Sequence, residues 1–282
     1  MVLRRVLPLV LVLLVLVPPA VQAQRDPAAI IEELKKLAWQ GGPGEGAIGA
    51  QATIRIPIGF SFLDDGNTRR FLELMGNPPR DQHYLIAPAN LDWFAVFSFD
   101  PAGYVRDDEK IDAQALLESL RKGDGPGNEE RKRLGMGPIY TDGWHVPPRY
   151  DPGARRLEWG MRLRDDRGAL HVNYTNRLLG RGGVMSAVLV ASPQTMNDDM
   201  KAFNRILAGY KFVAGEQYAE FRQDDRIAGY GLAALVLGGA AAAKTGMFEP
   251  LLLWTIVAGA LVAGGLLLKK FFGRKKTVRA RP

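Results

Sequence analysis

The chain has 282 residues, 47% of them hydrophobic, and no cysteine, which excludes disulfides, thiolate metal sites and a cysteine nucleophile. Its formal charge is +7, from 37 lysines and arginines against 30 aspartates and glutamates. The seven cations that close the chain, Lys269, Lys270, Arg274, Lys275, Lys276, Arg279 and Arg281, account for that whole excess, which speaks against a nucleic-acid binder, since such a protein carries its excess on the folded domain.

The N-terminus pairs Arg4 and Arg5 with an apolar stretch, Val6 to Val17. Pro18 and Pro19 then break the helix, and Val21-Gln22-Ala23 supplies small residues for cleavage. This order predicts a signal peptide over 1–23 and an exported domain over 24–226. Asp26 to Ala38 reads as a short helix with Ile30, Ile31, Leu34 and Leu37 on one face. TIRIPIGFSFL (53–63) reads as a strand, and Asn67 or Thr68 as the cap of a helix reaching Met75. WFAVFSF (93–99) is a strand, with a return strand expected from Tyr104. Asp112 caps the helix AQALLESLRKG, and Asn128 is expected to begin a second, charged helix. LEWGMRLR (157–164) and ALHVNY (169–174) alternate about the turn DDRG and predict a hairpin. VMSAVLVA (184–191) is apolar throughout, as in a central strand, and a helix capped near Thr195 follows. The sum is an α+β fold whose domain is rich in antiparallel sheet and carries short helices.

Two apolar stretches close the chain. Leu251 to Leu268 is 18 residues without a polar side; as a helix it reaches roughly 27 Å, close to a hydrocarbon core of about 30 Å. It predicts a transmembrane helix over 250–268, with Lys269, Lys270, Arg274, Lys275 and Lys276 as its cytoplasmic flank in a basic tail over 269–282. Ile227 to Ala243 is uncharged but rich in glycine and alanine. A second crossing would put the basic tail outside, against the positive-inside tendency. The segment 227–247 is therefore expected to lie at the interface or against the domain, with Ala234, Gly238 and Ala242 spaced to seat a helix.

Four runs together resemble a known family: DWFAVFSFDPAGYVRDDEKIDAQALL (92–117), LEWGMRLR (157–164), VNYTNRLLGRGGV (172–184) and RIAGYGLAALVLGGAAAAKTGM (226–247). They are similar, in order, to bacterial membrane-anchored proteins of the "domain of unknown function 2167" family, from about Trp39 to the basic tail. The resemblance implies an exported, anchored envelope protein. It carries no catalytic residue over to this chain.

The densest acidic run is Asp107-Asp108-Glu109, with Asp112 behind it. Asp107, Asp108 and Asp112 are candidate ligands for a hard cation, and Asp107, Asp108 or Glu109 is a candidate general acid or base. The spacing is not that of an EF-hand, Arg106 and Lys110 lie beside the acids, and a turn with a helix cap is the plainer expectation. His83, His145 and His171 show no metal-ligand spacing. His171, also a candidate catalytic residue, has Arg162, Asn173, Thr175 and Arg177 near it, and a solvated sheet face is expected there. GRGGV (180–184) lacks the lysine and hydroxyl that end a P-loop. A tight turn is expected, with anion binding by Arg177, Arg181 and the glycine amides as the alternative.

These residues lead to one expectation: an anchored envelope protein in the bacterial inner membrane, its domain on the periplasmic side, acting as a non-enzymatic scaffold or partner-binding module. No cofactor is expected. The expected partners are anionic lipid headgroups at the tail and an envelope protein. A metal-assisted hydrolase built on the 107–112 loop is the alternative, and a transport accessory follows if both apolar stretches span.

Overall fold

The computed structural model describes residues 27–77, 79–133 and 136–238. The expected signal peptide, transmembrane helix and basic tail lie outside these residues, as does the second part of the Gly/Ala-rich stretch. Among the described residues no helix is long and apolar enough to cross a membrane.

In chain order the elements are α1 (Pro27–Lys35), β1 (Gln40–Gly41), β2 (Gly44–Ile48), β3 (Ala52–Ile56), β4 (Phe60–Leu63), α2 (Asp65–Leu74), β5 (His83–Pro88), β6 (Phe94–Asp100), α3 (Ala113–Arg133), β7 (Ile139–Asp151), β8 (Arg156–Asp165), β9 (Leu170–Leu179), β10 (Val184–Val190), α4 (Met196–Leu207), β11 (Tyr210–Phe212) and α5 (Leu232–Leu237). The fold is α+β and sheet-rich. An eight-stranded sheet runs β1-β4-β5-β6-β10-β9-β8-β7, antiparallel throughout, and a three-stranded antiparallel sheet runs β11-β3-β2.

Strand alternation gives the large sheet two faces, and both are covered. On the first face, Ala95, Phe97, Tyr174, Met185, Ala187 and Leu189 contact Ile54 and Ile56 of the small sheet and Phe203 and Ile206 of α4. On the second face two helical clusters sit apart. One joins α1 and α2 to Leu63, Leu85, Phe94, Val96 and Val190 through Leu34, Phe71 and Leu72. The other joins α3 and α5 to Leu157, Trp159, Leu179 and Val184 through Leu116, Leu232, Leu235 and Val236. β10 lies between β6 and β9 and is buried along its whole length, as its continuous apolar run predicts.

The β8–β9 hairpin pairs Arg164 with Leu170 and Arg156 with Leu178, as the alternation predicts. Four expectations need correction. TIRIPIGFSFL is two strands in different sheets: Pro57 has no amide for a ladder, and Gly59 adopts φ +85°, so the chain turns there. α2 is capped by Asp64, whose carboxylate accepts from the Asn67 amide at 2.9 Å. Tyr104 opens no strand and makes a single parallel bridge to Ile227. The two helices expected around Gly123–Gly127 are one, with Pro126 inside it. Tertiary bonds outweigh the local breakers there: Asp124 accepts from the Thr141 amide and hydroxyl, both at 2.8 Å, and Asn128 exchanges two bonds with the Ile139 backbone at 2.9 and 2.8 Å.

The folded domain also continues beyond residue 226. Ala228 donates to the Tyr104 carbonyl at 2.9 Å, and Leu232, Leu235 and Val236 are fully buried.

Candidate functional site

The loop 101–112 leaves β6 and returns along the β7–β8 end of the sheet, and its acids divide by role. Asp107 receives the Tyr150 hydroxyl at 2.6 Å, pairs with Arg155, and lies 3.0 Å from the Tyr218 hydroxyl. The same Tyr218 hydroxyl is 2.9 Å from the Val105 carbonyl, so its one proton is shared between the two acceptors. Tyr104 stacks on Tyr218 at 4.4 Å and lies 4.2 Å from Phe221, while Arg155 sits 4.9 Å above the Tyr218 ring. Burial works to raise the Asp107 carboxyl, but the two phenols and Arg155 outweigh it and hold the group below the usual carboxylate range. Burial, with Asp107 alongside, pushes both phenols up. This is a carboxylate tied down by donors, with no proton to give near neutral pH.

Two of the remaining acids cap helices. Glu109 accepts from the Ala233 amide at 3.0 Å and so caps the N-terminus of α5. Asp112 accepts from the Gln114 and Ala115 amides, both at 3.0 Å, and caps α3. Asp108 is exposed. The expected turn and helix cap are thus what the loop provides, with a second cap that links it to the end of the fold.

The histidines lie elsewhere. His171 opposes Leu163 at the far end of β8 and bonds Asp165 at 3.2 Å. Asp107 reaches Tyr150, which opposes Leu157, and the stretch of strand from Leu157 to Leu163 spans roughly 20 Å. His145 bonds Asn197 of α4 at 2.9 Å, on the other face of the sheet. No group of three or more histidine, aspartate or glutamate residues that could hold a metal occurs among the described residues.

The GRGGV turn is structural. Gly180 donates to the Gly183 carbonyl at 2.8 Å, and Arg181 grips Asp225 through two bonds of 2.7 Å. Arg181 holds the Asp225 carboxyl down at about 2. A Cβ on Gly183 would fall 2.1 Å from the Asp100 carbonyl, and one on Gly180 2.7 Å from the Phe212 ring, so close packing requires both glycines. An open polar recess of about 410 Å³ lies beside this turn, but Asp225 already neutralises Arg181, and Arg226 is held by the Pro101 and Ala102 carbonyls, both at 2.9 Å.

The expected solvated groove around His171 also needs correction. Arg162 points to the opposite face of the sheet from His171, Asn173, Thr175 and Arg177, because it pairs with Val172. The face that carries His171 is not solvated: α3 and α5 stack on it, and Asn173 and Thr175 are buried. A buried carboxylate on the first face has no counterpart among the expectations. Glu158 is 2% exposed and is gripped by Arg149, Arg156 and the Tyr174 hydroxyl, with Asn204 of α4 donating to that hydroxyl at 3.2 Å. Burial and the Glu158 bond push the Tyr174 phenol up to about 12. The local signal at Glu158 is its place between Leu157 and Trp159, which reads as an outward residue.

No curated protein matches the chain. The solution structure of cyanobacterial PsbP (CyanoP) from Synechocystis sp. PCC 6803 is similar at 9% identity and a TM-score of 0.36, covering 61% of this chain and 95% of that one. The family model described as a protein of unknown function, DUF2167, matches residues 40–267, and the chain belongs to that family.

Proposed function

We propose that the chain is a membrane-anchored envelope protein whose exported domain works as a partner-binding module or scaffold and not as an enzyme. The observation that carries this reading is the fastening of α5. Its core residues Leu232, Leu235 and Val236 are buried in the domain, and Glu109 of the acidic loop caps its first turn. Two of the acids that suggest chemistry, Asp107 and Glu109, are therefore occupied in holding the loop and the segment that leads toward Leu251–Leu268. A domain built firmly onto the approach to an apolar run presents its other surfaces at a set position. The basic tail beyond that run suits anionic headgroups on the cytoplasmic side.

The metal-assisted hydrolase has less support, because Asp107 lies far from His171, Glu109 is bonded to the start of α5, and His145 is on the opposite face of the sheet. A transport accessory would need Ile227–Ala243 to cross, and Leu232–Leu237 is already seated on the sheet.

Topology and complementation test the proposal. Alkaline phosphatase fused after Pro282 should be inactive, while the same reporter placed after Arg25 should be active. Asp108→Asn and His171→Asn should support a deletion strain as well as the parent chain does. An active fusion at Pro282 would overturn the orientation. Loss of complementation by either substitution, at normal protein level, would move the reading to an enzyme.

A further inference from the structure

A single row of facing residues crosses the second face of the large sheet. His83 of β5 opposes Ser98 of β6, Ser98 opposes Ser186 of β10, Ser186 opposes Arg177 of β9, and Arg177 opposes Leu157 of β8. Facing residues of neighbouring antiparallel strands sit about 4.5–5.5 Å apart at Cα, so Ser98, Ser186 and Arg177 form one compact set. Thr175 and Asn173 continue it along β9 on the same face.

This set lies where the two helical clusters meet. On β10, Val184 belongs to the cluster of α3 and α5 and Val190 to that of α1 and α2, with Ser186 between. Apolar residues at these positions would join the two clusters into one core. Polar residues at core positions cost stability and are retained where they have a use.

Three residues of β9 on this face carry polar atoms without partners. Ser186 is 6% exposed, Asn173 1% and Thr175 0%. Both amide atoms of Asn173, the Thr175 hydroxyl and the Arg177 Nε are buried without a hydrogen bond. Arg177 makes no hydrogen bond or ion pair among the described residues; its guanidinium lies 5.9 Å from the Trp159 ring. Asp100, the nearest acid along β6, accepts the Tyr230 hydroxyl at 3.2 Å instead. Burial lowers the Arg177 pKa, with Asp100 and Tyr230 acting in the opposite direction. A bound water could satisfy Asn173 or Thr175, but it would not neutralise the cation.

We propose that this seam is a binding site for an oxyanion, a phosphate or carboxylate group, with Arg177 as its charged anchor, Ser98 and Ser186 as hydroxyl donors beside it, and Thr175 as the next donor along β9. The set is rich in donors, and a guanidinium offers a fork that matches either group. Ser98 and Arg177 are partly exposed while Ser186, Thr175 and Asn173 are closed off, so solvent and an anion reach the set from the side of Ser98 and Arg177. The inference rests on the fold and not on where the chain is anchored.

The test uses the full chain in a zwitterionic detergent, with inorganic phosphate and acetate as separate probes. Thermal unfolding and ³¹P or ¹³C line broadening are read for the parent chain, Arg177→Met and Ser186→Ala. One anion should stabilise the parent chain saturably, and the one that binds at lower concentration names the group. Arg177→Met should weaken that binding at least tenfold while melting no lower than the parent without anion. Ser186→Ala should weaken it severalfold. Saturable shifts of equal size in the parent and Arg177→Met would place the anion elsewhere and overturn the proposal. So would the absence of any saturable shift with either probe, and a lower melting temperature for Arg177→Met would then make Arg177 a structural cation.

Discussion

Two polar regions sit along the same transverse row of the sheet, and they are built on opposite principles. At the β7 end, beyond Leu157, Tyr150 meets a carboxylate that also holds Arg155 and lies beside Tyr218. Two strands away, on β9, Arg177, Thr175 and Asn173 have buried polar atoms that bond nothing. Both regions combine charge with burial. The difference lies in the partners. A buried polar group with its partners in place stabilises, whereas one without them costs about 1–3 kcal/mol. The first arrangement fastens a loop. The second is tolerated only where something else gains by it, which is why the quiet β9 positions, and not the conspicuous acidic run, carry the ligand proposal.

The two regions should differ most at Asp107. Asp107→Ala strands two phenols and a guanidinium and should cost about 3 kcal/mol in a denaturant titration. Tyr218→Phe removes one donor and should cost about 1 kcal/mol. The same operation at the other region should have the reverse sign: Arg177→Met removes a half-buried charge that no described side chain pairs with, and should leave stability unchanged or raise it by about 1 kcal/mol. A loss of about 2 kcal/mol or more for Arg177→Met, well beyond the cost of one ordinary hydrogen bond, would show that the two regions are built alike.

What the sequence discloses follows the range of the forces involved. The β8–β9 hairpin is legible because Leu157, Trp159, Met161 and Leu163 alternate, and β10 because its run is wholly apolar. The break at Pro57 is visible in principle, since proline and Gly59 interrupt an otherwise good strand. The single α3 is not legible, because Asp124 and Asn128 hold it through contacts with β7 that no local pattern records. His171, Asn173, Thr175 and Arg177 alternate as a solvated strand would. Only the helices stacked from α3 and α5, distant in sequence, turn that face into an interior. For the same reason Glu109 resembles a chemical group: its partner, the Ala233 amide, lies 124 residues away.

That long-range cap supplies a smaller effect. Glu109→Ala should cost about 1 kcal/mol and leave the ligand seam intact. Amide exchange should quicken at Ala233 to Leu237 and stay unchanged along β10. If exchange quickened along β10 as well, the loop and the seam would be a single unit and the contrast between them would fail.

The smallest effect is a dependence on acid that only the partnered groups share. Asp225 has its carboxyl held down at about 2 by Arg181, and Asp107 is depressed by its phenols and Arg155. A group whose folded pKa is lowered contributes stability that is fully present above its unfolded pKa, near about 4, and is lost as pH falls through the folded value. For Asp225 the window therefore runs from about pH 4 down to about 2. Asp225→Asn should flatten the fall in stability across that window and change little at neutral pH beyond the loss of its clasp with Arg181. Arg177→Met should leave the acid limb as steep as in the parent chain, because no described carboxylate is paired with it. A shallower acid limb in Arg177→Met would reveal Asp100 as its counter-ion and erase the difference between the two regions.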